Sequence, residues 1–303
     1  MRVNAPAKLN LCLFLGPRRD DGLHELCSLF EPLALADAIE VMKAAGTSEG
    51  VGPGAGAGPG AADEVVCPGV EGENLAARAL AALREAGWEA PPLRIEIEKR
   101  IPVAAGLGGG SADAAAVLRL AAPGPFVAHS ETKGPGLDLP ALAATLGADV
   151  PSQLDPGLAL VRGAGERVER LPDPEPHAVV LLPGGGGLST AEVFAEADRL
   201  GLGRDADELE RLAGELRAAA GAGASPLAYA ELLANDLEPA ARSLRPEVGA
   251  ALDALRAAGA PLALLSGSGP TAVGLFPALA RAKSAAAHLD RDDAIVCEAG
   301  RAP

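Results

Sequence analysis

Residues 93–118 read LRIEIEKRIPVAAGLGGGSADAAAVL, and no other stretch restricts the backbone so severely. Leu93, Ile95 and Ile97 alternate with Arg94, Glu96 and Glu98, the period-2 pattern of a strand with one buried face. Further on, Ala114, Val117, Leu118 and Ala121 recur at helical spacing until Pro123 ends the pattern. Between strand and helix stand Gly106, Gly108, Gly109 and Gly110. Glycine forgoes side-chain packing and loses the most chain entropy on folding, so such a cluster needs either a tight backbone path or a ligand pressed against the main chain. A glycine loop that feeds a helix N-terminus presents unpaired N–H groups and the positive end of the macrodipole, about half an elementary charge. That combination suits an anion. Two common anion loops are excluded by the letters. A GxxxxGK(S/T) loop needs a lysine after the glycines, and a GxGxxG run starting at Gly106 needs glycine where Ser111 stands. A close helix-to-strand contact without ligand is the competing reading of the same glycines.

The remaining pattern alternates short strands with helices in both halves, which indicates α+β rather than a regular parallel sheet. Asp138 and Pro140 announce a helix over LPALAATL that ends at Gly147. LALVRGAGERVERL reads as a hairpin with its turn at Gly163 to Gly165, and AVVLL as a buried strand. Another helix starts at Pro246, carries Val248, Leu252 and Leu255 on one face and stops at Gly259; strand, tight glycine turn and strand follow in PLALL, SGSGP and TAVGLF. At 303 residues two domains are expected, and the break at PDPEP (172–176) places them at 1–172 and 173–303. The Gly/Ala/Pro-rich stretch 44–62 reads as a surface loop, and 123–138 leaves the local chain path open.

Charge narrows the partners. A formal net charge of −15 opposes association with nucleic acid or an anionic membrane surface, so an anionic ligand has to be held locally by amides and a few placed cations. No apolar run approaches the roughly 20 residues of a membrane span, and the N-terminus lacks a signal-peptide layout, so a cytoplasmic location is expected. Cys12, Cys27, Cys67 and Cys297 follow no metal-ligand or disulfide spacing and read as reduced, buried thiols. His129, His177 and His288 lie outside every motif and are expected on the surface.

PVAAGLGGGSADAA resembles the phosphate-binding motif of the GHMP kinase superfamily. APAKLNLCL (5–13), DGLHELCSLFEPLALAD (21–37), LGADVP (146–151), LSTAEVF (188–194), ND (235–236) and LLSGSGPTAVGLF (264–276) are similar, in order, to one branch of it. That branch phosphorylates a cytidylated alcohol in isoprenoid-precursor synthesis. The resemblance covers nearly the whole chain. It implies a two-domain GHMP kinase-like α+β fold, with an N-terminal domain like ribosomal protein S5 domain 2 and a C-terminal ferredoxin-like α/β sandwich. It also implies ATP as donor, Mg2+, a small-molecule substrate, no nucleic-acid or membrane partner, and a monomer or homodimer.

By the same resemblance Asp149 is the catalytic acceptor of the hydroxyl proton and Lys8 its cationic companion. Pro102, Val103, Ala104, Ala105, Gly106, Leu107, Gly108, Gly109, Gly110, Ser111 and Ala112 wrap the ATP phosphates, with Ser111 also near the Mg2+. Ser111 equally suits a helix cap. Asn10, Leu23, His24, Thr190 and Phe194 line the substrate pocket, and Gly267, Ser268 and Gly269 close over the substrate phosphates. Turn chemistry alone makes SGSGP a plain hairpin turn, and helical spacing alone makes Phe194 a core residue. Leu23 stands where the branch carries a tyrosine that stacks on the base, which removes an aromatic contribution on the order of 1 kcal/mol. Another GHMP kinase acting on a different alcohol, or a catalytically silent nucleotide-binding relative, are the open alternatives.

Overall fold

A computed structural model describes residues 1–44, 62–70, 72–121 and 136–303. The expected loop at 44–62 and the open path at 123–138 therefore fall largely outside the described residues, as does His129. In chain order the elements are β1 (Arg2–Arg18), β2 (His24–Lys43), β3 (Glu64–Val66), α1 (Leu75–Glu85), β4 (Leu93–Glu98), α2 (Gly109–Leu118), α3 (Leu139–Leu146), α4 (Val150–Gln153), β5 (Ala159–Gly163) and β6 (Arg167–Arg170). Then come β7 (His177–Leu182), α5 (Thr190–Leu200), α6 (Ala206–Ala220), α7 (Glu238–Leu244), α8 (Pro246–Ala257), β8 (Leu262–Leu265), β9 (Ala272–Phe276), α9 (Leu279–Ala286) and β10 (Ile295–Ala299). Helix and strand are mixed throughout, as α+β requires. No helix among the described residues is long and apolar enough to cross a membrane.

By internal contacts the chain forms two compact units that interleave in sequence. The first comprises Met1–Ala5, Ala36–Ile101 and Gly109–Leu154; the second comprises Pro6–Leu35, Pro102–Gly108 and Asp155–Pro303.

In the first unit, the end of β2 runs antiparallel to β4, with Ile39 opposite Ile97 and Val41 opposite Ile95, and β3 joins β4 in parallel. This register aims all four side chains at one face, where each is at most 2% exposed. Helices cover that face with Leu80, Leu83, Val117, Leu118, Leu146 and Val150. The Asn74 side chain caps α1 through Ala76 N at 2.8 Å, and that of Asp138 caps α3 through Ala141 N at 3.0 Å. Helix α2 departs from the one-faced reading: every residue from Ala112 to Leu118 is buried. Four alanines among them let neighbouring elements approach from all sides.

In the second unit, β7 lies between β10 and β9, antiparallel to both, and β8 extends the sheet beyond β9. All six residues of β7 are buried, because helices supply Val193, Ala197, Ala240, Leu252 and Leu255 to the core around Val180 and Leu182. The start of β2 pairs with β5, which turns into β6 through the expected hairpin.

His177 corrects the surface expectation. Its side chain is fully buried at the head of β7, with Nε2 3.2 Å from Glu31 Oε2 and Nδ1 3.1 Å from Glu175 O. A buried imidazole persists here because both nitrogens have partners. Burial alone lowers its pKa, but the Glu31 carboxylate outweighs that and raises it above the ordinary value. His288 is exposed as expected. All four cysteines are free; Cys12 and Cys27 are buried, whereas Cys67 and Cys297 are half-buried. Burial pushes the Cys27 and Cys297 thiols up to about 11, which keeps them unreactive near neutral pH.

Candidate active site

Three motifs from distant parts of the sequence meet in the second unit. The loop 102–108 places Ala104, Gly106 and Gly108 at φ 55, 75 and 69°, left-handed values that disfavour a side chain. A Cβ on Gly106 would stand 2.8 Å from Gly269 O and 2.9 Å from Ser266 O; one on Gly108 would stand 2.9 Å from Lys8 Cγ. Gly106 is thus needed because main chain lies on main chain, the tight-path reading of the cluster, and Gly108 because the Lys8 stem lies against it. Lys8 N donates to Leu107 O at 3.0 Å. The Ser266 hydroxyl donates to Gly106 O and accepts from Asn10 N, each at 3.3 Å.

Side chains complete this arrangement. Lys8 is 5% exposed, and its Nζ donates to Asn10 Oδ1 at 2.8 Å while lying 4.6 Å from the centre of the Phe30 ring. Asn10 Nδ2 donates to Ser28 Oγ at 3.0 Å, and that hydroxyl in turn donates to Cys12 O. A Cβ on Gly267 would be 3.2 Å from Asn10 Oδ1 and 3.9 Å from Lys8 Nζ, so the second glycine loop, 267–269, borders the same ammonium. Asn235 Nδ2 fixes that loop by donating to Leu265 O and Gly267 O, both at 2.8 Å. An ammonium set among loop amides is what a site for phosphate oxygens requires.

The same unit positions the other residues expected to line a substrate pocket. Ser189 caps α5, which begins at Thr190; the Thr190 and Ser268 hydroxyls are 3.0 Å apart. Phe194 is partly buried, with its ring centre 5.4 Å from that of His24 and tilted by 36°. His24 is 8% exposed and meets Asp198 through Nε2 at 2.8 Å. Leu23 is 54% exposed on the turn just before it.

The first unit carries the remaining residues. Gly109 opens α2; a Cβ there would lie 3.1 Å from Ile101 Cγ2 and 3.2 Å from Lys99 Nζ. Ser111 is half-buried in the first turn. Lys99 Nζ bonds to Asp37 and, at 2.8 Å, to Asp113, while Asp37 Oδ1 accepts from the amides of Arg100 and Ile101 at 2.6 and 2.8 Å. Burial pushes Asp113 up to about 7, against the pull of Lys99. Asp149 is half-buried immediately before α4, and its carbonyl accepts from Ser152 Oγ at 2.8 Å. No group of three or more His, Cys, Asp or Glu residues among the described residues forms a metal cage. A magnesium ion that keeps phosphate and water ligands needs only one or two protein oxygens, so the Ser111 hydroxyl is a fitting donor.

Ser28, Lys99, Asp198, Asn235 and Ser266 hold these groups in place, and motif reading assigned a role to none of them. The ND pair at 235–236 was a signal of family order only. The other four have partners far away in sequence, which spacing cannot reveal.

Residues 74–151 match the family model described as GHMP kinases N terminal domain, and 201–294 that described as GHMP kinases C terminal. A 4-diphosphocytidyl-2-C-methyl-D-erythritol kinase of Mycolicibacterium gilvum (strain PYR-GCK) is 45% identical over 273 residues, spanning 89% of this chain and 80% of its own. The protein of the same name from Thermobifida fusca (strain YX) is 40% identical over 287 residues, spanning 95% of this chain and 90% of its own. A crystal structure of 4-(cytidine 5'-diphospho)-2C-methyl-D-erythritol kinase aligns with a TM-score of 0.75 at 36% identity, over 99% of this chain and 100% of that one.

Proposed function

The chain belongs to the GHMP kinase family, and from that membership we propose that it phosphorylates the 2-hydroxyl of 4-diphosphocytidyl-2-C-methyl-D-erythritol with ATP, a step of isoprenoid-precursor synthesis. The observation that carries the site assignment is the convergence of Lys8 and Asn10 with the glycine loops at 106–108 and 267–269.

Phosphoryl transfer asks a protein to hold the phosphates, orient the hydroxyl and stabilise charge on the transferred group. ATP, when bound with Mg2+, supplies the phosphoryl group and part of the charge neutralisation. Amides of Gly106 to Ala112 hold the phosphates, helped by the N-terminal turn of α2, and the Ser111 hydroxyl would help hold the metal. Asp149 accepts the proton of the 2-hydroxyl. The Lys8 ammonium, held by Asn10, offsets negative charge as the bond to the acceptor oxygen forms. His24, Phe194 and Leu23 take the cytidine end, with Leu23 contributing apolar contact in place of ring stacking. Asn10, Thr190 and the 267–269 loop orient the polyol and its phosphates.

The two family segments fall on either side of residue 172, and by that division the domains are 1–172 and 173–303, although the compact units interleave across the boundary. A cytoplasmic location and a monomer or homodimer belong to the same reading. One assay tests it: purified protein, ATP and magnesium with the cytidylated substrate, mevalonate or homoserine, followed by ADP release. Turnover with the cytidylated substrate alone is expected. Turnover with another alcohol instead, or silence with all, overturns it.

A further inference from the structure

Helix α5 carries Thr190, Phe194 and Asp198 on one face, each about 6 Å beyond the last along the axis. Its ends are fixed, by the Ser189 cap and by Gly201 in the left-handed conformation at φ 68°. The stripe therefore meets its partners at set intervals: Ser268 at one end, the His24 ring in the middle, and His24 Nε2 at the other end. The imidazole is 8% exposed against 44% for the Asp198 side chain, so the ring is the buried member. An ionised carboxylate only accepts, so the neutral imidazole carries its proton on Nε2. Nδ1 is then left with a lone pair and has no hydrogen-bond partner among the described residues.

We propose that Asp198 is a positioning residue for base selection: by holding the His24 proton on Nε2 it keeps Nδ1 an acceptor, matched to a nucleobase that offers an amino group and mismatched to one that offers a carbonyl oxygen there. The inference rests on the reading of His24 as a contact to the cytidine end of the substrate. Asp198 acts through the imidazole. Cytosine and uracil differ at this edge by an amine against a carbonyl, so a fixed acceptor distinguishes them where an imidazole free to shift its proton does not. A site that leaves a buried polar group unpaired against the wrong ligand rejects it more strongly than shape alone does.

Two measurements test this. In protein labelled with 15N in its four histidines, with His24 assigned from His24→Gln, ring-nitrogen spectra should show the Nε2–H tautomer in the unaltered chain and a tautomer mixture in Asp198→Asn. In kinetics, Asp198→Asn should raise KM for the cytidylated substrate about tenfold, with kcat and KM for ATP within about twofold of the parent. The preference for the cytidylated substrate over its uridylated analogue should fall by a similar factor, and Asp198→Glu should restore part of it. An Nδ1–H tautomer in the unaltered chain, or a parental cytidine-to-uridine ratio in Asp198→Asn, overturns the proposal. So does an equal loss on both analogues, which marks a purely structural role. If the unaltered chain turns over neither substrate, the assigned function fails, while the tautomer spectra still decide the His24–Asp198 relation.

Discussion

At Gly106 there is no room for a methyl group. A Cβ there would press on two carbonyl oxygens, and φ 75° disfavours any side chain. Gly106→Ala is expected to destabilise the fold by about 1–3 kcal/mol, read as a lowered midpoint in thermal melting, and to raise KM for ATP. Ala104, two positions earlier at φ 55°, is the opposite case. Ala104→Gly relieves left-handed strain but adds chain entropy to the unfolded state, so stability should stay within about 0.5 kcal/mol. Asp149 is tested by charge alone: Asp149→Asn should lower kcat by at least about 100-fold while calorimetry finds ATP affinity within about twofold. Near-parental turnover would remove this carboxylate from the chemistry.

At the scale of elements, the SGSGP turn depends on one amide side chain. Asn235→Ala leaves the Leu265 and Gly267 carbonyls without their donor, and a buried polar group left unpaired costs about 1–3 kcal/mol. Urea unfolding should report that loss, together with a higher KM for the cytidylated substrate from a loosened loop. The turn itself, its flanking strands, α3 and α8 were legible in the sequence, because local chemistry ends them. Asp138 and Gly147 bound Leu139–Leu146, and Pro246 opens Pro246–Ala257. The proposed catalytic and loop positions rest on family motifs, since Lys8 and Asp149 alone look like any surface charge. What pins the loops was not legible. Asn10 N and Ser266 Oγ are 256 positions apart, and no local pattern encodes such a bond. The full burial of α2 was missed for a related reason, because alanine carries too weak an apolar signal to mark which faces are covered.

At the scale of the molecule, the second unit takes its strands from both ends of the chain. A fragment of residues 173–303 lacks Leu13 and Leu15, which belong to the core around Val180 and Leu182. It is expected to show no cooperative urea transition, whereas the full chain should. The Glu31–His177 pair gives this unit a pH dependence of definite sign. The folded state holds His177 above its ordinary pKa of about 6.5, so its stabilisation is complete below that value and is lost as pH rises through the folded pKa. The difference in unfolding free energy between the parent and His177→Asn should therefore be largest near pH 5.5 and shrink toward pH 8.5; a difference that grows with pH would refute the assignment. The single tryptophan, Trp88, lies in the core of the first unit, and the single tyrosine, Tyr229, is buried in the second. Nature has thereby given each unit its own fluorophore: indole emission follows one and phenol emission the other, so their melting can be timed separately in unlabelled protein.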